Sequence, residues 1–539
     1  MPTRREFIAS ASIASIAAIG ATQVAAQDGQ GPPAGGARSE SFDYVVAGAG
    51  HNSLITAAYL AKAGYSVLVL EGRAQIGGGA KTSEMLLPGF HEDWCSSSHH
   101  VLVRNPLYAD NEINIRDFGY EVFDPEIVVH FPFLDGASLT VHLKDLDRTS
   151  ASIAEVSKKD AETFRQFAAT RATAMGLADD ARATSREGIY LDRLGVLSGF
   201  DAARQLWESP HMQAANISGG RWGGVPASDP GTGPQAWSML THMNGRPMPK
   251  GGSGMLSVSL GRFIEAHGGT VLTSMPVVQL MIEDGRCTGV ECVDGSRFRA
   301  RKAVVSTIHV KHLMEMAPKE LWGQALTDSV DIWQPETAMF AFHYALSAPP
   351  LYSVARGGTV NAAEASIMAR PESIFQLNAD VATGTLNIDD YPLQIVHAAG
   401  YDPSRAPAGQ ALLKIEGGIP YALKEGPAHW DEIKKEVADK MLDRVLAHTA
   451  NLSRENVLAE VLMSPLDIER MNPSMWRGSV HHLDKRWGNF APYRMPIPGL
   501  YQTGACTSPG GSVTGQPGRN AAIAILEDEG KTLAEVVKG

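Results

Sequence analysis

The first part of the chain shows two short apolar runs separated by a glycine-rich turn and a helical segment. Residues 42–47 are apolar and predict a strand, and the small and apolar residues of 54–63 predict a helix. Gly64 lies where a helix C-cap is expected. Residues 66–70 predict a second strand that ends at Glu71. This order predicts a βαβ unit and therefore an α/β fold.

The turn before the helix reads Gly48-Ala49-Gly50-His51-Asn52-Ser53. Gly48 permits a tight turn, and Gly50 lets the backbone approach a pyrophosphate at the helix N-terminus. Glu71 follows Gly50 by 21 residues, which suits an acid that binds a ribose. A second glycine turn follows just after the acid, at 73–80. The predicted dinucleotide-binding residues of this unit are Gly48, Gly50, His51, Asn52, Ser53, Glu71, Gly72, Arg73, Gly78, Gly79 and Lys81.

A second glycine-rich segment lies near the C-terminus. Residues 497–504 predict a turn and a strand, 505–520 a loop, and 521–536 a helix. The positive end of that helix, near Pro517-Gly518, would stabilise a reduced, anionic flavin ring if it pointed at the pyrimidine. The sequence has no second dinucleotide motif and no redox dithiol, which favours FAD over a nicotinamide domain. The predicted cofactor residues of this segment are Gly504, Gly511, Ser512, Val513 and Asn520.

The middle of the chain alternates between strand and helix patterns. Residues 269–295 predict a β-meander with turn glycines, and 303–307 predict a buried strand that returns to the sheet. Residues 158–186 are alanine-rich and predict helix. Residues 430–447 predict a helix whose apolar face packs in the core and consists of Ile433, Val437, Met441, Leu442, Val445 and Leu446.

The first 26 residues have the pattern of an export signal rather than of a folded element. Arg4-Arg5 precede an apolar stretch rich in Ala, Ile and Ser, and Val24-Ala25-Ala26 form a small-residue cleavage site. The paired arginines before Phe7-Ile8 resemble a twin-arginine signal. The alternatives are an ordinary export signal and a frayed N-terminal tail. We therefore expect a periplasmic or otherwise exported protein that uses the twin-arginine machinery, with 27–41 as a polar linker.

Composition narrows the class of protein further. The chain has 539 residues, of which 44% are apolar and 20% charged, which is ordinary for a globular protein. The net charge of −12 gives no indication of nucleic-acid binding. No apolar run after the signal is long enough to span a bilayer. The four cysteines form no C-x-x-C pair, so zinc and dithiol chemistry are not expected.

Beyond these patterns, the chain resembles the phytoene-desaturase-like FAD oxidoreductases. It is most similar to the branch called pyridine nucleotide-disulfide oxidoreductase domain-containing proteins, with retinol saturase as a more distant relative. The motifs that carry the resemblance span the chain in the family's order. They are GAGHNSLITAAYLAKAGYSVLVLE at 48–71, IGGGAKT at 76–82, LPGF at 87–90, PKGGSGMLSVSL at 249–260, YDPSRAPAGQ at 401–410, SPLDIER at 464–470 and YRMPIPGLYQTGACTSPGGSVTGQPGRNAA at 493–522. Ser53 and Ser512 depart from the family's glycines.

The resemblance implies a glutathione-reductase-type FAD-binding fold, a Rossmann-like βαβ core with an inserted α+β substrate domain. It divides the FAD domain into 42–140, 250–310 and 455–539, and it assigns 141–249 and 311–454 to the substrate domain. In the family, the residue that matches Val277 meets the adenine through its backbone.

Candidate acids or bases are less well defined than the cofactor residues. Four histidines in segments expected near the flavin or the substrate cavity are candidates for catalysis: His99, His100, His481 and His482. Each of them alternatively lines the site or has a structural role. No spacing of His, Asp or Glu indicates a metal site, and no nucleophile motif is present.

The sequence thus predicts an FAD-dependent dehydrogenase or desaturase that removes hydride from a carbon of an apolar, alicyclic or aromatic small molecule. The expected electron acceptor is a quinone or oxygen. Three alternatives remain: an alcohol or amine oxidase, a redox-neutral flavin-dependent isomerase, and a non-catalytic exported flavoprotein with an interaction role.

The export signal yields a first prediction. Changing Arg4 and Arg5 together to Lys is expected to keep the precursor in the cytoplasm, because the twin-arginine receptor reads the pair itself and not only its charge. Fractionation of cells followed by immunoblotting measures the exported share. Export of the double variant at the wild-type level would show that the signal is of another type.

Overall fold

The structure is a computed structural model that describes residues 38–219, 226–334, 337–368, 370–480 and 490–538. The predicted export signal at 1–26 and most of the linker at 27–41 lie outside the described residues. His481 and His482 also lie outside them.

The strands of the described residues are, in chain order: β1 (Ser39–Ala47), β2 (Val67–Leu70), β3 (Thr82–Ser83), β4 (Glu92–Asp93), β5 (Val122–Phe123), β6 (Ile127–Pro132), β7 (Ser138–His142), β8 (Met248–Pro249), β9 (Thr270–Leu272), β10 (Val277–Glu283), β11 (Arg286–Cys292), β12 (Arg297–Ser306), β13 (Ala338–Leu346), β14 (Tyr352–Ser353), β15 (Thr359–Val360), β16 (Glu364–Ile367), β17 (Leu393–Val396), β18 (Ala411–Ile419), β19 (Val457–Met463) and β20 (Leu500–Gln502).

The α-helices of the same part of the chain are, in order: α1 (His51–Lys62), α2 (Pro106–Ala109), α3 (Leu146–Ile153), α4 (Lys158–Met175), α5 (Asp179–Thr184), α6 (Arg186–Val196), α7 (Gly199–Leu206), α8 (Pro210–Ile217), α9 (Ser238–Met243), α10 (Gly254–Ala266), α11 (Val310–Leu313), α12 (Gln324–Asp331), α13 (Ser373–Thr383), α14 (Trp430–Leu446), α15 (Pro465–Met471), α16 (Gln516–Asp528) and α17 (Leu533–Lys538).

The first sheet is built around the predicted βαβ unit. Its strand order is β10-β11-β12-β1-β2-β9, and β20 pairs with the second half of β12. In its parallel centre, Val46 lies opposite both Val69 and Val305. Helices α1, α10 and α16 pack on one face of this sheet, and an apolar cluster that includes Leu280 and Phe298 covers the other. Burial on both faces explains the continuous apolar runs of the parallel strands.

The predicted meander is confirmed, and it forms the outer part of this sheet. Strand β10 pairs antiparallel with β11, and β11 pairs antiparallel with β12. Strand β12 also pairs with β1, in the parallel direction. Cys287 and Cys292 lie on β11, and both are buried free thiols, as expected of core residues.

The second sheet has the order β19-β13-β18-β17-β16-β6-β7 and is mostly antiparallel. One of its faces packs in a core with α13 and α14, through side chains such as Phe342, Ile415 and Trp430. The helices between 146 and 243 form a further layer, with Phe164, Trp207 and Trp237 in an apolar cluster against β6 and β7. This sheet and its helices form the α+β part that the resemblance implies.

Sheet membership bears on two of the predicted segment boundaries, which stay predictions. Strands β6 and β7, at 127–142, pair within the second sheet, although 42–140 was expected to belong to the FAD domain. Strand β19, at 457–463, pairs with β13, although 455–539 was expected to belong to the FAD domain as well. The pairings that place these strands in the second sheet, of β6 with β16 and of β19 with β13, are long-range, and local patterns do not reveal them.

The helix expected at 521–536 is two helices. Helix α16 begins at Gln516, with Pro517 in its first turn, and Gly530 (φ +71°) separates it from α17. Among the residues that the structure describes, no helix has the length and apolar character needed to cross a membrane.

The contact between α16 and α1 yields a second prediction. A Cβ on Gly518 would meet the carbonyl oxygen of Asn52 and lie 2.8 Å from Cβ of Ile55. Gly518→Ala is therefore expected to lower the free energy of unfolding by about 1–3 kcal/mol, since the two helices must separate. Thermal or urea unfolding of the purified protein measures the change.

Gly195→Ala is the matched control, because a Cβ at Gly195, also in a helix, meets no atom within 4 Å. This variant is expected to be unchanged or stabilised by up to about 1 kcal/mol. Equal stability of the two alanine variants would contradict the close approach of α16 to α1.

Candidate functional site

The site begins at the turn between β1 and α1. Gly48 has φ +96°, and a Cβ there would lie 2.6 Å from Cγ2 of Thr307, so only glycine fits. Gly50 is the N-cap of α1, and no side chain of the described residues caps this helix. The first N–H groups of the helix, with its positive dipole end, are therefore available to an anion.

Ser53 replaces the third glycine of the usual motif, and it closes the turn. Its hydroxyl donates to the carbonyl oxygens of Gly48 at 2.6 Å and of Gly50 at 2.9 Å. The side chain is completely buried. A serine thus preserves the packing of strand and helix and adds hydrogen bonds that glycine lacks.

Glu71 lies at the end of β2 and is bound on both carboxylate oxygens. Oε2 accepts a hydrogen bond from the backbone N–H of Ala49 at 3.0 Å, and Oε1 accepts one from the backbone N–H of Arg73 at 3.1 Å. The carboxylate therefore fixes the first glycine turn to the second. It also lines the cavity, where its remaining lone pairs can accept hydrogen bonds from ribose hydroxyls.

The second glycine turn carries two cations. The N–H of Gly77 donates to the carbonyl oxygen of Ala49 at 2.8 Å, which joins the two turns. Arg73 donates to the carbonyl oxygen of Met471. Lys81 is 6% exposed, and its ammonium lies 4.3 Å from the ring centre of Trp94. Burial, with the neighbouring Arg73, lowers the pKa of Lys81 to about 8.

The C-terminal loop reaches the same place from the other side. Gly504 has φ +91°, and a Cβ there would collide with the Thr307 side chain. Gly511, Ser512 and Val513 line the cavity, and Ser512 has φ +74°, a left-handed conformation that favours glycine.

Asn520, by contrast, lies on α16 outside the cavity lining. Its amide donates to the Tyr493 hydroxyl at 3.1 Å and accepts from the Gln516 side chain at 2.6 Å. The structure therefore gives Asn520 a role within the C-terminal segment rather than a direct contact with the cavity.

All other predicted cofactor residues except Ser53 line one cavity of about 1970 Å³. Val277, at the start of β10, belongs to this lining. The cavity extends from the glycine turns to the second sheet, where Met339, Met463 and Met475 are part of its apolar wall. It is larger than the 300–1,000 Å³ typical of a pocket for one small ligand.

The candidate histidines occupy different environments. His99 is completely buried outside the cavity lining, with its ring nitrogens 2.7 Å from the Tyr120 hydroxyl and 2.7 Å from the Ser253 hydroxyl. This packing gives His99 hydrogen bonds within the core and no place in the cavity lining, and its catalytic role stays a prediction. His100 lines the cavity, and burial lowers its pKa to about 3, so its ring is neutral at pH 7. His481 and His482 lie outside the described residues.

Some lining residues were missed in the sequence analysis. Thr307, which separates Gly48 from Gly504, could have been found from its place at the end of the predicted strand at 303–307. Glu364, Gln394 and Glu416 lie on three neighbouring strands of the second sheet. For Glu416, the signal is a charge in the otherwise apolar run Ala411-Leu412-Leu413-Lys414-Ile415-Glu416.

The residues at the glycine turns fit a bound dinucleotide. Nε2 of His51 and Oδ1 of Asn52 are buried and have no hydrogen-bond partner among the described residues. Burial lowers the pKa of His51 to about 4, so this ring is neutral at pH 7. Arg73 and Lys81 supply positive charge beside the turn. Polar atoms at a helix N-terminus, with nearby cations, match the pyrophosphate and ribose of FAD.

Glu71 yields a third prediction. Glu71→Ala is expected to weaken FAD binding by about 1.5–3 kcal/mol, because charge-assisted hydrogen bonds to the ribose and between the turns are lost. Glu71→Gln retains an acceptor oxygen and should weaken binding less. Titration of the apoprotein with FAD, followed by flavin fluorescence, measures both. Equal affinity of the wild-type protein and the alanine variant would place the ribose elsewhere.

Relatives of this chain align over almost its whole length. It is 26% identical to pyridine nucleotide-disulfide oxidoreductase domain-containing protein 2 of Rattus norvegicus, over 92% of this chain and 95% of that protein. It is 27% identical to one of the subunits of limonene dehydrogenase from Castellaniella defragrans, over 91% and 95%. It is 21% identical to a lycopene-forming phytoene desaturase of Pseudescherichia vulneris, over 89% and 98%.

Solved structures share the fold. An oxidoreductase from Methanosarcina mazei has a TM-score of 0.58 at 17% identity, covering 90% of this chain and 100% of that one. A putrescine oxidase variant has a TM-score of 0.58 at 12% identity, covering 91% and 100%. These likenesses confirm the predicted FAD-binding fold.

The family model "Flavin containing amine oxidoreductase" matches residues 54–334, which is more than half of the chain. This match agrees with the two glycine turns, the acid at the end of β2 and the cations beside them. The chain therefore belongs to the flavin-containing amine oxidoreductase family and is an FAD-dependent oxidoreductase.

Proposed function

We propose that this protein is a dehydrogenase that removes hydride from a carbon of an apolar, alicyclic or aromatic small molecule. The observation that supports this proposal is the shared cavity. The same 1970 Å³ space is lined by the nucleotide-binding turns and by the apolar side chains of the second sheet. A substrate bound against the second sheet would lie in the same enclosure as the cofactor.

The apolar part of the wall supports the substrate class. Met339 on β13, Leu462 and Met463 on β19, and Met471 and Met475 beyond it line this end of the cavity. Methionine side chains adapt to irregular apolar shapes. Two relatives are named for the oxidation of hydrocarbons, the limonene dehydrogenase and the phytoene desaturase.

FAD supplies the two-electron acceptor for such a reaction. The chain's own residues would bind and orient the cofactor and the substrate. Glu71 and the turn at 48–53 would hold the nucleotide half of FAD, and the second sheet would form the wall on the substrate side of the cavity. An enclosed apolar site protects the reduced cofactor from side reactions. A quinone or oxygen is the proposed final acceptor, which agrees with the proposed export.

The fourth prediction tests this reaction directly. Anaerobic mixing of the FAD-loaded protein with a panel of alicyclic and aromatic hydrocarbons, alcohols and amines is expected to bleach the flavin with a hydrocarbon in one two-electron step. The product should be two hydrogen atoms lighter by mass spectrometry and carry a new double bond. Added quinone or oxygen should restore the flavin absorbance.

Other outcomes identify the alternatives. Reduction by alcohols or amines alone would indicate an oxidase of those groups. Conversion at an unchanged oxidation level, without net flavin reduction, would indicate an isomerase. A protein that retains FAD and is reduced by no compound of the panel would contradict the proposed dehydrogenase. Free FAD with the same compounds serves as the control for non-enzymatic reduction.

A further inference from the structure

The second sheet has two chemically different faces. On β18, Leu413 and Ile415 point into the apolar core, and Lys414 and Glu416 point to the opposite side. Glu416 lines the cavity although it is only 4% exposed. A buried charged residue in the middle of a strand is costly unless other groups compensate it. Such a residue in a cavity wall is a candidate for a functional role.

Neighbouring strands extend this polar face. Gln394 on β17 lies opposite Glu416 on one side and opposite Ser366 of β16 on the other. Glu364 precedes Ser366 by two residues and therefore shares its face of the sheet. Glu364, Gln394 and Glu416 all line the cavity. This face of the second sheet thus brings two carboxylates, Glu364 and Glu416, to the cavity that the nucleotide turns also line.

Lys414 holds the Glu416 carboxylate in place. Its ammonium lies 2.8 Å from Oε2 of Glu416 and donates to the Ser97 hydroxyl at 2.7 Å and to the carbonyl oxygen of Cys95. The lysine is completely buried. Burial alone would lower the pKa of Lys414, but the carboxylates of Glu416 and Glu92 raise it, so the side chain remains a cation.

The buried charges around this wall are unequally compensated. Glu364 pairs with Arg246 at 3.0 Å, and Asp93 pairs with Arg405 at 3.1 Å. Lys414 faces three carboxylates, Glu416, Glu92 and Asp93, of which Asp93 already pairs with Arg405. Although burial opposes it, the pKa of Glu92 is lowered by His343, whose Nδ1 lies 3.6 Å from Oε1, and by the nearby cations Arg405 and Lys414, so Glu92 is ionised.

Glu416 is consequently the group best placed to gain a proton. Burial, with the charge of Glu364, raises its pKa, and Lys414 and His343 only partly offset this rise. The efficiency of a general base increases as its pKa approaches the working pH.

We propose that Glu416 accepts the proton that the substrate loses as its carbon–carbon double bond forms, with Lys414 as a positioning residue. This inference rests on the proposed function. The hydride leaves one carbon with both electrons of its C–H bond, and FAD is the oxidant that receives it. The C–H bond of the adjacent carbon breaks, and its electron pair forms the new double bond. The proton from that carbon passes to the Glu416 carboxylate, so atoms and electrons balance.

The proposal requires a defined pH dependence. The groups that face Glu416 are Lys414 on its own strand, His343 on β13, Glu364 on β16 and Gln394 on β17. Only the ionised carboxylate accepts a proton. The rate of flavin reduction should therefore rise with pH through the pKa of Glu416, which lies above the usual glutamate range, and should fall below it.

The fifth prediction uses Glu416→Gln, which preserves the shape of the side chain and removes the base. With a compound that bleaches the wild-type flavin, the rate of anaerobic reduction is expected to fall by about 10²–10⁴-fold. The fall of the reduction rate at low pH, which is the acidic limb of the pH profile, should disappear in this variant. Glu416→Asp should recover part of the rate and keep that limb.

Glu364→Gln is the matched control. It removes the neighbouring carboxylate of the same wall and leaves the Glu416 carboxylate in place, so its acidic limb is expected to remain. FAD content and melting temperature of each variant report whether it folds. If Glu416→Gln does not retain FAD, the shorter Glu416→Asp carries the comparison through its rate and its pH profile.

Binding of a protonated amine gives a readout that does not depend on turnover. Benzylammonium should bind the wild-type holoprotein at least tenfold more tightly than the Glu416→Gln variant, because the carboxylate meets its charge. Benzyl alcohol, which is neutral and of similar shape, should bind both alike. Perturbation of the flavin absorbance during titration measures these affinities.

The outcomes separate this inference from the proposed function. Equal reduction rates and pH profiles in wild-type protein and Glu416→Gln would overturn Glu416 as the proton acceptor and leave the dehydrogenase intact. Equal binding of benzylammonium to both would show that the carboxylate does not reach the ligand, and would also overturn the inference. If no compound reduces the flavin of the wild-type protein, both the proposed function and this inference fail. Glu416 would then have no substrate oxidation from which to accept a proton.

Discussion

The site depends on the space that two glycines leave for one threonine. Thr307 follows β12, and its side chain occupies the positions that a Cβ of Gly48 or of Gly504 would need. These glycines come from the two ends of the chain, and both have positive φ angles. The threonine therefore joins three parallel strand ends at one edge of the first sheet. The glycine turns, the helix N-terminus of α1 and the C-terminal loop all take their positions from this contact.

The sequence was informative where structure is local. The unit from β1 to Glu71 could be predicted because a short apolar run, turn glycines and a helix follow each other within a few residues. The meander from β10 to β12 was readable for the same reason. Strands β6 and β19 could not be assigned to the second sheet, because the partners that place them there, β16 for β6 and β13 for β19, lie far away in sequence.

The functional side chains show the same limit. His99 and His100 are adjacent in sequence, yet one packs in the core and the other lines the cavity. Which of two neighbouring residues faces a cavity depends on how the segment is oriented in the fold. A segment without regular hydrophobic periodicity does not reveal that orientation in its sequence. Glu416 was overlooked because a charge in an apolar strand has meaning only once the opposite face is known to border a cavity.

The Ser53 hydroxyl also bears on how such turns are recognised in other chains. It donates to the carbonyl oxygens of Gly48 and Gly50, which a glycine at this position cannot do. A search pattern that demands glycine at the third position would reject this chain, although its turn has additional hydrogen bonds. A pattern that also accepts serine there, combined with an acid about twenty residues further on, would recover nucleotide-binding proteins that the stricter pattern omits.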